Sequence, residues 1–188
     1  MKIEAYKKLE SLFNRIALIS ESISVLHWDA ATKMPKRGAY ARSGQIAELK
    51  KISHDLLVNK ETEALLNEAL SNTDDLSLWQ KANVREMHSQ WKKEKIIPKE
   101  IVVTLSHACS KCETVWREAK CNNDFNLVKP YLQEVLNLMI EIGQLKAEAL
   151  NVTLYGALLN DYEPGFDCVH IDKLFTMYAN FLPEFLGQ

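Results

Sequence analysis

Strand-like alternation of apolar and polar residues never survives beyond a few positions in this sequence. Glycine and proline are sparse too, six and five among 188 residues, and they fall mostly at corners between helical stretches. These shortages exclude sandwiches, barrels and wound sheets and leave helices. No apolar run approaches the roughly 18 residues that span a bilayer. The opening MKIEAYKKLESLFNR carries charge throughout, so it lacks the apolar stretch of a secretory signal. Basic residues (23) and acidic residues (25) nearly cancel, leaving a net charge of −2. A basic footprint for nucleic acid and a polybasic patch for membranes are both missing. We therefore expect a cytoplasmic protein with no nucleic-acid and no membrane partner. In that compartment the four cysteines read as reduced thiols, and the sequon at Asn151 has no meaning.

What is present is helical periodicity. Apolar residues make up 47% of the chain, enough for one domain, residues 1–188, with a sizeable core. Leu12, Ile16, Ile19, Ile23 and Leu26 form a seam spaced four, three, four and three. A helix from about Glu4 to Asp29 would be roughly 39 Å long. It must stop before Met34, which precedes Pro35 and is pushed out of helical geometry.

A second helix fits Ala39–Val58, with Ile46, Leu49, Ile52 and Leu56 inward, and a short one fits Glu61–Ser71. The stretch Asn72-Thr-Asp-Asp75 offers caps for a charged helix over Leu76–Lys95 carrying Trp79, Val84, Met87 and Trp91. Pro98 opens a fifth helix striped by Ile101, Leu105, Ala108, Cys112, Val115 and Ala119. After a corner at Asn122–Asn126 comes a sixth, striped by Tyr131, Val135, Leu138, Ile142, Leu145 and Ala149.

Pro164-Gly165 makes a tight turn. Asp167 can then cap a last helix with Ile171, Leu174, Tyr178, Phe181 and Phe185 on one face. That face needs a partner, either the first helix or polypeptide of a longer ancestral chain. The predicted fold is all-α, an antiparallel bundle of long helical hairpins with about six to eight helices.

Local chemistry is thin. Cys109-Ser-Lys-Cys112 has the spacing of a redox or metal motif, but both thiols fall mid-helix on an apolar stripe and read as small core residues. His27, His54, His88, His107 and His170 are at least 19 residues apart, so no helix carries two one turn apart and HExxH is absent. The nearest approach to a Glu-x-x-His ligand pair is Asp167-Cys-Val-His170, which reads better as a cap. No phosphate loop and no G-x-S-x-G elbow occurs. Arg85-Glu86 and Arg117-Glu118 read as solvated helix faces, and Trp28, Trp79, Trp91 and Trp116 as core.

The corner motifs carry more together than singly. Trp28-Asp29, Thr32, Met34-Pro35, Arg42 and Gln45 make a W-D-x-x-T-x-M-P…R-x-x-Q pattern. Arg85-Glu86-Met87, Pro98, Trp116-Arg-Glu-Ala119 and Asn123-Asp124-Phe125 follow, then YGALLNDYEPG over residues 155–165. In this order the set resembles the N-terminal helical part of the thermostable, Taq-type zinc metallocarboxypeptidases, from about Tyr6 onward. Two positions depart from that pattern: Gly156 and Asn160 stand where Asp is usual. On this resemblance VLHWDAATKMPKRG is the family's first helical corner, where Asp29 would accept hydrogen bonds and Trp28 would pin the corner to the core.

The resemblance implies a fold and a lineage. Full-length members are well over twice as long and release C-terminal amino acids from peptides with one divalent metal, usually zinc or cobalt. Their HExxH supplies two ligands and the water-activating Glu, with a further Glu downstream, and none of these falls within these 188 residues. The resemblance therefore assigns no catalytic, cofactor-binding or metal residue here, and the chain by itself is expected to be inactive and to bind no catalytic metal. It points to two partners, a separate C-terminal catalytic half or a second copy in a homodimer. The alternative function is a stand-alone helical interaction or dimerisation module derived from the family.

Overall fold

The computed structural model describes residues 2–165 and 168–187. Among them eight α-helices follow one another: α1 (Lys2–Thr32), α2 (Ala39–Val58), α3 (Lys60–Ser71), α4 (Leu78–Lys95), α5 (Lys99–Asn122), α6 (Phe125–Leu150), α7 (Leu154–Leu159) and α8 (Cys168–Leu186). Among the described residues there is no strand, so the protein is all-α as the sequence predicts. The chain forms two compact units, Met1–Met139 and Ile140–Gln188, divided inside α6.

In the first unit α1 stops for the predicted reason. The N–H groups of Lys33 and Met34 both return to the Asp29 carbonyl, and Pro35 then starts a 3-10 turn at Lys36–Gly38 that leads into α2. The seam of α1 faces inward, with Tyr6 and Leu9 buried ahead of Ile16. They join Leu57, Leu66, Ala69, Leu76, Val84 and Trp91 in a core shared by the first four helices. Each fully buried aliphatic side chain there contributes about 1.5–3 kcal/mol.

Several inward assignments shift once neighbours are in place. α2 buries Ile46, Ala47, His54 and Leu57, whereas Ile52 is exposed. Ile52 lies about 240° round the helix from Ile46 at 3.6 residues per turn. The Asn72–Asp75 stretch forms a 3-10 turn over Thr73–Asp75 and does not cap α4. Ser77 does, in a capping box: its hydroxyl accepts from the Gln80 N–H (3.3 Å) while the Gln80 side chain accepts from the Ser77 N–H (2.9 Å).

Of the four tryptophans only Trp91 is buried; Trp28, Trp79 and Trp116 are 61%, 80% and 45% exposed. Helical spacing tells which residues share a face, and only packing decides which face meets a neighbour. Cys109 is exposed and Cys112 half-buried, so neither is the core residue that the stripe suggested.

α5 and α6 both end on asparagines in the left-handed region, Asn123 (φ 54°) and Asn151 (φ 53°), which close the last turns. In the second unit Thr153 caps α7 by accepting from the Gly156 N–H. A Cβ at Gly143 would sit 3.1 Å from the Leu154 side chain, so this glycine lets α6 and α7 approach closely. Gly165 adopts φ +88° in the predicted turn, and its N–H donates to Asn160 Oδ1. The proposed cap Asp167, the acidic half of the Asp167–His170 pair, lies outside the described residues. α8 has the predicted amphipathic pattern but no buried residue.

Candidate functional site

The corner after α1 is built around two arginines. Thr32 Oγ1 donates to the Trp28 carbonyl (2.7 Å). Arg42, on the first turn of α2, meets the Asp29 carboxylate at 2.5 Å and donates to the Leu26 carbonyl at 3.1 Å. Its Nε donates to Gln45 Oε1 at 2.9 Å. The Asp29, Arg42 and Gln45 positions of the sequence pattern thus close on one guanidinium. Asp29 accepts at the corner as expected, whereas Trp28 points to solvent and does not pin it.

Arg117, from the Trp116-Arg-Glu-Ala119 motif, completes the end of α1. It donates to the carbonyls of Ala30 (2.9 Å) and Ala31 (3.2 Å) and to Glu113 on its own helix. It is therefore more than a solvated-face charge, which is how its sequence context reads. The last carbonyls of a helix lack intrahelical partners and form its negative end, so Arg117 satisfies two of them and both arginines place positive charge there. Arg85 and Glu86 are exposed, in keeping with a solvated face.

Beside these arginines a cavity of about 630 Å³ opens between α1, α2 and α5, lined among others by His27, Met34, Arg42, Ser110, Arg117 and Cys121. Its two arginines already have partners within the fold, Asp29 for Arg42 and Glu113 for Arg117. Ser43 Oγ lies 2.8 Å from His107 Nδ1 and ties α2 to α5.

The remaining sequence candidates are dispersed. His54 is buried, with Nε2 3.2 and 3.0 Å from the carbonyls of Glu94 and Ile97, and it closes the end of α4. His88 stacks on Trp91 with ring centroids 5.5 Å apart, and burial, with Lys92 adding to it, pushes its pKa down. Partial desolvation pushes both the Cys109 and Cys112 thiols up, and Lys50 pulls Cys109 back only in part. That is the opposite of an activated thiolate.

Among the described residues no group of three or more His, Cys, Asp or Glu could hold a metal ion. A catalytic metal site takes at least three protein ligands, so the described residues do not fit the metal that the resemblance implies for full-length members.

The last motif, over residues 155–165, holds its own corner together. Its Asp161 pairs with Lys146 of α6 at 2.5 Å, and the Lys146 side chain is only 7% exposed. Asn160 supplies the acceptor for Gly165, a role that an Asp carboxylate would fill equally. At Gly156 a Cβ would lie 3.1 Å from Thr153 Oγ1, the atom that caps α7. Asp124, from the Asn123-Asp124-Phe125 motif, accepts from the Leu127 N–H at the start of α6.

The comparisons agree with this architecture. The chain matches carboxypeptidase 1 of Bacillus subtilis with 31% identity over 177 residues, 94% of this chain and 35% of the relative. Two solved structures superpose on it. The crystal structure of BsuCP has a TM-score of 0.85 and 29% identity, covering 94% of this chain and 35% of the other. Metallocarboxypeptidase 1 of Trypanosoma cruzi has a TM-score of 0.78 and 34% identity, covering 98% and 37%. The chain thus spans about a third of the length of the relatives it matches. No helix among the described residues is long and apolar enough to cross a membrane. The model of the carboxypeptidase Taq (M32) metallopeptidases matches residues 8–187, nearly the whole chain, and the protein belongs to that family.

Proposed function

We propose that residues 1–188 are the N-terminal helical portion of a metal-dependent carboxypeptidase and release no C-terminal amino acids on their own. The observation that carries this reading is the donor set: no three-ligand group among the described residues, in a chain that spans 35% of its Bacillus relative. Hydrolysing a peptide at neutral pH takes a polarised carbonyl and an activated water, and the corner arginines are engaged in holding α1. The catalytic zinc or cobalt, the peptide substrate and the HExxH ligands belong to further polypeptide, acting in the cytoplasm.

The test is direct. The purified chain, supplied with zinc or cobalt, is incubated with peptides, and free C-terminal amino acids are measured with and without chelator. No release is expected; chelator-sensitive release overturns the reading.

A second reading, a stand-alone interaction or dimerisation module, is favoured by α8, which has no buried residue. It predicts a stable, concentration-dependent homodimer on sedimentation.

A further inference from the structure

Among the described residues, α8 presents a large apolar surface that no part of the fold covers. Ile171, Leu174, Tyr178, Phe181, Leu182 and Phe185 fall within about 100° of the helix surface, and Phe175 and Leu186 widen the stripe to about 140° at 3.6 residues per turn. Apart from half-buried Ile171, all are exposed, Phe175 at 64% and Leu186 at 75% among them. Phe181 and Phe185 stack on each other with centroids 5.2 Å apart. The opposite side carries Asp172, Lys173, Asn180 and Glu184. A contiguous exposed apolar surface of this kind marks an interaction site.

We propose that this face of α8 is the docking surface for the catalytic remainder of a carboxypeptidase of this family. The inference rests on the N-terminal-portion reading above and names the surface through which that reading would operate. Three observations select this occupant. The stripe is wider than the two-position seam of a paired coiled coil and has the width of a helix packed into a globular core. A copy of α8 set against it would leave Phe175 and Leu186 at the wet margin. The polar side holds two acids against one lysine, whereas a helix lying on an anionic membrane carries a basic polar face. Finally, relatives that share this fold carry roughly two thirds more of their length as further polypeptide, beyond the part that this chain matches.

The experiment co-expresses the full 188-residue chain with the part of the Bacillus subtilis relative outside the matched segment, and recovers complexes through a tag on this chain. We expect a one-to-one complex, with slowed amide exchange across α8. Phe181→Lys with Phe185→Lys should lower recovery by about tenfold or more, as for a hot-spot pair. Asn180→Lys, on the polar side, should leave it unchanged. Both substituted positions are exposed, so circular dichroism should match the unsubstituted chain.

Absence of a complex, recovery indifferent to the double substitution, or α8 exchange that does not slow overturns the proposal. So does a homodimer that the double substitution abolishes, or α8-dependent flotation with phosphatidylglycerol vesicles. The outcome is separable from the activity test, because a chain that hydrolyses peptides alone refutes the functional reading whether or not α8 docks a partner.

Discussion

The guanidinium of Arg117 donates to the carbonyl of Ala30, 2.9 Å away and 87 residues earlier in the chain. With its second bond to Ala31 it satisfies the end of α1 from α5. Arg117→Ala should lower stability by about 1–3 kcal/mol, since the partly buried Ala30 carbonyl loses a charged donor. Glu113→Ala, which removes only the exposed ion pair, should cost no more than about 1 kcal/mol. Urea unfolding of the two variants separates carbonyl capping from surface charge; equal effects would assign the role of Arg117 to the ion pair.

Trp91 and Trp79 lie on the same helix and should respond oppositely. Trp91 packs in the core with Leu66 and Val84, so Trp91→Ala should cost about 3–5 kcal/mol. Trp79 is 80% exposed, and Trp79→Ala should stay within about 0.5 kcal/mol. Thermal unfolding of both variants measures the difference.

The pair Lys146–Asp161 places an ammonium in a nearly buried position. Removing its partner strands that charge, so Asp161→Ala should cost about 3 kcal/mol, the low end for a broken buried pair because Asp161 remains partly solvated. Lys146→Met removes the charge and keeps the volume, and should be close to neutral. Denaturant unfolding that finds Lys146→Met the more damaging change would assign the stability to the ion pair itself.

Acid should weaken the first unit through His88. Its folded-state pKa is lowered, first by burial and then by Lys92, so the unfolded chain binds this proton more readily. The stabilisation is complete above the unfolded value of about 6.5 and is lost as pH falls below it toward the folded value. His88→Gln should reduce the loss of stability between pH 7.5 and 5.5, measured by urea midpoints. An unchanged pH dependence would remove His88 as its source.

Much of the fold was legible because its signals are local. The bounds of α2 follow from the Pro35 block before it and the periodicity within it, and α5 opens just after Pro98. The Pro164-Gly165 turn needs only the positive φ that glycine permits. The Ser77–Gln80 capping box was equally readable as S-x-x-Q, but the neighbouring Asn72–Asp75 offered a competing set of caps.

The site was less legible. The order of motifs pointed to the family, and the Asp29–Arg42–Gln45 cluster lies within one short segment. Nothing in the sequence near Arg117 tells which carbonyls it reaches.

The sequence by itself therefore determined the helices, their corners and the lineage, since capping, proline geometry and helical period act over a few residues. Only tertiary structure decided which side of each helix is dry. It turned Ile52 and Trp79 outward and Trp91 inward, and it brought Arg117 to Ala30. It also left the α8 face bare. Burial and long-range hydrogen bonding depend on what packs alongside a helix, and that neighbour comes from distant sequence.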